Sequence, residues 1–291
     1  MPLRETVKEH EYLNILQCCR LCPRLCGVDR TAGQTGYCGI GANPRVSSAG
    51  PHFGEESVLV GRGGSGTIFF AGCNLRCVYC QNYDISQLRR GEDASVDRLV
   101  EIMLSLQRRG CENINFVSPS HVAAQIAEAV VRAKKKGLIL PTVYNCGGYD
   151  LPETLDLLDG LIDVYMPDIK YADGAVAGRY SDAPDYPEVS REAIRSMHCQ
   201  VGDLEMDPRG VARRGLLVRH LVLPDDLAGS EAVIDFLADD ISPHTFINVM
   251  AQYRPCYRAG EYPELSRPIT LTAHAAVLTH ARRRGLRLAE E

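Results

Sequence analysis

The chain has 291 residues, 45% of them hydrophobic and 24% charged, with a net charge of −5 at neutral pH. That length suits one large domain with a core of its own, and the interspersed charges give neither a nucleic-acid face nor a surface for anionic membrane. Met1 to Gln17 lacks the apolar core of a signal peptide, and no stretch approaches the roughly 20 apolar residues of a membrane span. A cytoplasmic location is therefore expected, with thiols kept reduced.

Twelve cysteines then become the informative number, since eight of them lie between Cys18 and Cys80. In a reducing compartment such clusters bind metal more often than they form bridges. Residues 1–50 read as a small appendage, with a short helical start and then a Cys/Gly/Arg-rich segment of little periodicity. Metal substitutes for a core in units of this kind. Cys19, Cys22, Cys26 and Cys38 make a four-thiolate set, for which a structural zinc and an auxiliary iron–sulfur cluster are both open. Residues 47–66 read as a connector, and the second unit covers residues 51–291. The Gly-rich run from Gly61 to Gly66 precedes its strand and lacks the Lys of a phosphate loop, so it reads as a flexible lead-in.

Beyond it, β-rich runs at 67–70, 113–117, 141–144, 162–166, 216–223 and 245–250 alternate with helical ones. Ser95 is placed to cap a helix with Val96, Leu99, Met103 and Leu106 on one face and Gly110 as its stop. Ser120 is placed to cap another, with Val122, Ile126, Ala129, Val130 and Ala133 inward and Gly137 as its stop. Weaker helical patterns cover 152–158, 188–198, 230–239 and 271–284, and the Lys134-Lys135-Lys136 run reads as a solvated helix end. About six β-α units argue for a parallel sheet with covering helices, which an open partial barrel and a doubly wound sheet satisfy equally.

In either architecture the site lies at the C-terminal strand ends. Those ends carry Gly72-Cys73, then Ser118-Pro119-Ser120-His121, then Asn145-Cys146, then Asp168 and Lys170, then Arg219 and His220, and last Gln252 and Arg254. Together they describe a polar, cation-bearing site. His121, His220 and Cys146 read first as structural, Arg219 as an inward cation in need of an anionic partner. Residues 171–186 are long for a βα loop and read as part of the site's mouth.

Cys73, Cys77 and Cys80 follow the first strand with the spacing C-x3-C-x2-C. Three thiolates from one loop can hold three irons of a cubane and leave the fourth without a protein ligand, where four-cysteine ligation is usual. Such an open metal position is where substrate or cofactor binds. The competing readings are three unrelated thiols or a zinc site completed from elsewhere.

With Tyr79 before its last Cys, this triplet resembles the hallmark of the radical S-adenosylmethionine (SAM) superfamily. With residues 66–70 ahead of it and Met166-Pro167-Asp168-Ile169-Lys170-Tyr171 later, the chain is similar to the group related to pyruvate formate-lyase activating enzyme. The resemblance covers roughly residues 66–250. It implies an α/β fold, a (β/α)6 partial TIM barrel of the radical SAM type, here with a small Cys-rich N-terminal appendage. It implies a [4Fe-4S] cluster on Cys73, Cys77 and Cys80, with Tyr79 against cluster or adenine. It places Asn145, Asp168, Lys170 and Arg219 near bound S-adenosylmethionine. The group's usual Gly-Gly-Glu is replaced here by Ser118-Pro119-Ser120-His121, whose hydroxyls and carbonyls can accept from an ammonium. Similar N-terminal cysteines occur in that group. The expected activity is reductive cleavage of S-adenosylmethionine with electrons from reduced flavodoxin or ferredoxin. Hydrogen abstraction would follow from an unidentified protein or small molecule, glycyl-radical-enzyme activation being one option. The alternative is a non-catalytic iron–sulfur electron carrier, against which six functionalised strand ends argue. No particular catalytic residue is assigned.

Overall fold

The computed structural model describes residues 14–289. Its strands are β1 (Arg45–His52), β2 (Ser65–Phe70), β3 (Glu92–Asp93), β4 (Ile114–Val117), β5 (Thr142–Cys146), β6 (Val164–Pro167), β7 (Glu205–Met206), β8 (Ala212–Leu221), β9 (Phe246–Met250) and β10 (Arg287–Leu288). The six predicted runs correspond to β2, β4, β5, β6, β8 and β9, which pair in parallel. They follow one another across the sheet in chain order, with β10 beyond β9, and β1 and β3 beyond β2. That order decides between the two architectures. A doubly wound sheet reverses direction at a switch point, and this one does not. Since β3 and β10 stay unpaired with each other at the two edges, the barrel is open and partial.

Helices pack outside. α1 (Val96–Arg108) starts at Ser95, whose hydroxyl accepts from Arg98 N at 3.1 Å, and buries Leu99, Val100, Met103 and Leu106. α2 (Ala123–Lys135) buries Ile126, Ala129, Val130 and Ala133. Ser120 does not cap it. A 3-10 turn, Ser120–Val122, intervenes, and buried Asp150 engages the Ser120 hydroxyl instead. α3 (Gly174–Ser181), α4 (Tyr186–Val201), α5 (Ser230–Phe236) and α6 (Leu271–Arg283) complete the layer.

Two expectations about the first third of the chain need correction. Residues 47–66 are not a bare connector. β1 pairs antiparallel with β2, Gly50 opposite Thr67, and a helical turn, Ser57–Val60, follows. β1 also runs through residue 50, where the two units were divided. Residues 14–44 do not stand on metal alone either, because Leu16, Leu21, Cys38 and Ile40 join the same core as Phe70 and Phe116. Arg30, 1% exposed, locks that contact by donating to Gly41 O and His121 O at 2.9 and 2.7 Å.

Inside the barrel, Leu59 packs with Val143, Val164, Leu217 and Phe246, mostly from strand starts. This apolar floor leaves the strand ends free for polar groups.

Candidate functional site

β2 delivers the chain to Gly72, whose φ of +84° turns it into the cysteine loop. A Cβ there would meet Ile40 Cγ1 at 2.6 Å and Cys38 O at 3.0 Å, so the N-terminal segment lies directly against this turn. Cys73, Cys77 and Cys80 then come round one short loop, closed by Cys80 N donating to Cys77 O at 3.2 Å. Each sulfur has a polar neighbour. Leu75 N donates to Cys73 Sγ at 3.4 Å, Ser181 Oγ to Cys77 Sγ at 3.0 Å, and Ser86 Oγ lies 3.2 Å from Cys80 Sγ. The Ser181 contact ends a chain that begins at Tyr79, whose hydroxyl lies 2.6 Å from that of Tyr171, itself 2.7 Å from Ser181 Oγ. The Tyr79 ring is buried edge-on against Tyr171 and Tyr253. Burial pushes the Cys73 thiol up to about 12, helped by its neighbour Cys77, and raises Cys80 likewise.

The predicted mouth segment is therefore a support. α3 is capped by Asp173, which accepts from Val176 N at 2.9 Å. Tyr180 O and Ser181 O receive the backbone N–H groups of Val78 and Arg76, which anchors the cysteine loop to α3.

The ends of β5, β6 and β8 bring Asn145, Asp168, Lys170 and Arg219 together beside this loop. Lys170 Nζ meets Asp168 Oδ2 at 2.5 Å, Arg219 Nε meets Asp168 Oδ1 at 2.9 Å, and Arg219 Nη2 reaches Asn145 Oδ1 at 2.8 Å. Burial opposes ionisation of Asp168, but Arg219 and Lys170 outweigh it and hold the carboxyl below its ordinary range. Burial likewise pulls Lys170 down, yet Asp168 and then Cys77 raise it overall. The ammonium is near enough to Cys73 and Cys80 to lower both thiols somewhat. Cation and thiols thus share one electrostatic site.

The remaining sequence candidates divide. Ser118 directly follows β4 at φ +57°, a left-handed conformation costly for a non-glycine residue, and its N–H donates to Asn145 O at 2.9 Å. Ser120 is 3% exposed and held by Asp150 as described. His121 is buried with Nε2 2.9 Å from Ala71 O, and burial drops its pKa to about 3, which keeps it neutral. His220 spends both ring nitrogens on Ile169 O and Ser230 Oγ. Gln252 and Arg254 are exposed. Sequence reasoning missed Glu55 and Glu56, whose side chains are 8% and 5% exposed and lie 4.0 Å from Arg219 Nη1. Their one signal was an adjacent acidic pair just ahead of the short apolar run Val58 to Val60.

The N-terminal thiols form a second group. Cys19 N donates to Val28 O and Gly27 N to Cys19 O, both at 2.9 Å, which closes residues 19–28 into a hairpin. Tyr37 N donates to Cys26 Sγ at 3.3 Å, bringing the turn that carries Cys38 over it. Cys22 is pushed up to about 12 by burial, with Cys38, Cys19 and Cys26 all close enough to add to the shift. All twelve cysteines are unpaired. Among the described residues no three Cys, His, Asp or Glu side chains are arranged to hold a single metal ion. A cubane makes a different demand, since each thiolate binds its own iron; Cys73, Cys77 and Cys80 are three free thiols on one loop within the field of the Lys170 ammonium.

A sequence model of the radical SAM superfamily matches residues 67–198. An uncharacterized protein of Methanocaldococcus jannaschii is 33% identical over 267 residues, covering 88% of this chain and 72% of that protein. The chain belongs to the radical SAM superfamily. A second uncharacterized protein of the same organism is 22% identical, covering 84% of this chain and 73% of its own length. Among solved structures, a domain of pyruvate-formate lyase-activating enzyme from Bacteroides vulgatus aligns at 14% identity and TM-score 0.40, covering 56% of this chain and 86% of that one. The FeFe-hydrogenase maturase HydG from Carboxydothermus hydrogenoformans aligns at 15% identity and TM-score 0.49, covering 74% and 50%. Membership of the radical SAM superfamily implies a [4Fe-4S] cluster and S-adenosylmethionine as cofactors. No helix among the described residues is long and apolar enough to cross a membrane.

Proposed function

We propose that this chain is a radical enzyme whose [4Fe-4S] cluster sits on Cys73, Cys77 and Cys80 and whose substrate is attacked inside the partial barrel. The observation that carries the reading is the Asn145–Asp168–Lys170–Arg219 network at the strand ends, whose Lys170 charge reaches the three thiols. A bound [4Fe-4S] cluster would supply the electron for reductive cleavage of S-adenosylmethionine, the chemistry that would end in hydrogen abstraction from substrate. The chain's own groups bind and orient. Lys170, whose charge is felt by Cys73, Cys77 and Cys80, would offer its ammonium to a cofactor carboxylate. Asp168 fixes both Lys170 and Arg219 in place, and Asn145 supplies an amide beside them. Tyr79, on the cysteine loop, packs edge-on against Tyr171 and Tyr253 and buries one flank of that loop. The electron would come from a reduced flavodoxin or ferredoxin.

Residues 53–60 pack against the barrel, with Leu59 on its apolar floor and Glu55 and Glu56 brought to 4.0 Å from Arg219. This favours a small molecule or one extended side chain over a folded glycyl-radical partner.

The test is anaerobic reconstitution with iron and sulfide, reduction with dithionite, and addition of S-adenosylmethionine. Formation of 5′-deoxyadenosine well above a Cys73→Ala/Cys77→Ala/Cys80→Ala control is the expected result. Equal amounts from both proteins would instead make the chain an electron carrier.

A further inference from the structure

A cavity of about 650 Å³ opens between residues 53–60 and β9, lined among others by Phe53, Glu55, Glu56, Arg219, Asn248 and Met250. Its floor is acidic and incompletely matched. Glu56 Oε1 accepts from Asn248 Nδ2 at 3.1 Å, while Glu56 Oε2 is buried without a hydrogen-bond partner. The nearest cation, Arg219, stands 4.0 Å from both carboxylates and gives its short contacts to Asp168 and Asn145. Two cations, Arg219 and the Lys170 that also pairs with Asp168, thus face three carboxylates, which leaves one negative charge over. Leaving a buried carboxylate oxygen without a donor is costly, so the floor calls for a ligand that donates and carries positive charge. The walls call for something else. Phe53 is 65% exposed at the rim, and Met250 lies inside at 8%, which suits an aliphatic stem.

We propose that this cavity is the substrate pocket and that it takes an aliphatic amine or guanidine, its cationic end donating to Glu56 Oε2 with Glu55 balancing the charge. Arg219 lies between this pocket and the Asp168–Lys170 pair, so ligand and cofactor would meet across one side chain. The inference rests on the radical-enzyme reading for the word substrate, but its test reads binding alone. The reconstituted protein with S-adenosylmethionine is titrated calorimetrically with n-butylamine, n-butanol and butyrate, and with the peptide acetyl-Gly-Lys-Gly-amide. The cationic probes should bind at least tenfold tighter than n-butanol, with butyrate silent. Glu56→Gln should remove that preference. Binding of the peptide would place the amine on a polypeptide, and binding of butylamine alone would make it a small molecule. Equal affinity for butylamine and n-butanol overturns the proposal, as does an unchanged preference in Glu56→Gln. Should that variant not fold, Glu56→Asp carries the same comparison, because a carboxylate drawn back by one methylene must weaken butylamine by several-fold and leave n-butanol alone. If amines bind but no 5′-deoxyadenosine forms, the pocket stands and the radical reading falls; the reverse result separates them the other way.

Discussion

Asp168 accepts from two partly buried cations at once, at 2.5 Å from Lys170 and 2.9 Å from Arg219. Removing one partner from such a set strands the others, which typically costs about 3–5 kcal/mol. Asp168→Asn should therefore unfold at lower urea at pH 7, by about 3 kcal/mol. The pH dependence has a definite sign. The folded pKa of Asp168 lies below its ordinary 3.8, so its contribution is complete above that value and disappears as pH falls through the folded pKa. The gap between wild type and Asp168→Asn should close in acid and stay constant from pH 5 to 8; a gap that widened on acidification would contradict the pairing. A second prediction concerns sulfur. Ser181 Oγ donates to Cys77 Sγ at 3.0 Å, and hydrogen bonds to cluster sulfurs help set reduction potential. Such a bond favours the more negative, reduced cluster. Ser181→Ala should shift the midpoint negative by tens of millivolts, about 59 mV being 1.4 kcal/mol for one electron. A spectroscopic redox titration reads this independently of turnover.

Each element owes its place to contacts of different range, and this decides what the sequence could reveal. Runs rich in Val, Ile, Phe and Tyr mark β2, β4, β5, β6, β8 and β9, because a buried strand must be apolar wherever it pairs. β1 escaped because Ser47, Ser48, Gly50 and Pro51 are poor strand formers; it exists through its ladder with β2. The strand-end groups of the site were legible for the same reason as the strands, since position along the chain places them at one end of the barrel. Glu55 and Glu56 were not, because only tertiary folding carries them back to Arg219, more than a hundred and fifty residues on. Ser120 looked like a cap until Asp150, thirty residues away, claimed its hydroxyl. α3 looked like a loop although Asp173 offered a capping signal, and its true role alters an expectation. It supports the cysteine loop through Tyr180 O, Ser181 O and Ser181 Oγ. Deleting residues 174–181 should therefore abolish cluster retention and cofactor cleavage together, as iron content and 5′-deoxyadenosine yield would register, where a mere lid would lose substrate turnover alone.

Across the whole molecule the two cysteine groups are mechanically joined. Ile40 and Cys38 O press on Gly72, next to Cys73. Arg24 Nε donates to Asn74 O at 2.9 Å, Arg76 donates to Tyr37 O, and the Tyr37 ring lies between the two guanidinium groups at 3.8 and 4.1 Å. Tyr37 also donates to Asp182 at 2.7 Å, at the end of α3. A metal centre on Cys19, Cys22, Cys26 and Cys38 would brace all of these contacts, because thiolate ligation supplies folding free energy directly, on the order of 10 kcal/mol for structural zinc. We propose such a centre, which for a single zinc ion would require the four thiols to draw closer than the structure holds them, and anaerobic metal analysis identifies it. About four irons with one zinc per chain would mean a structural zinc, and about eight irons an auxiliary cluster, as cubane stoichiometry requires. Cys19→Ala/Cys22→Ala should lose that N-terminal metal first. Because the segment buttresses Gly72, the same variant should also release the iron of Cys73, Cys77 and Cys80 faster on dilution into chelator. Gly72→Ala serves as the mechanical control, since its Cβ would strike Ile40, crowd the Cys38 carbonyl and strain a φ of +84° while removing no thiol. It should speed iron release while leaving the N-terminal metal bound. Unchanged metal content and release rate in Cys19→Ala/Cys22→Ala would dismiss the N-terminal centre, and a Gly72→Ala protein that held its cluster as firmly as wild type would dismiss the coupling between the two.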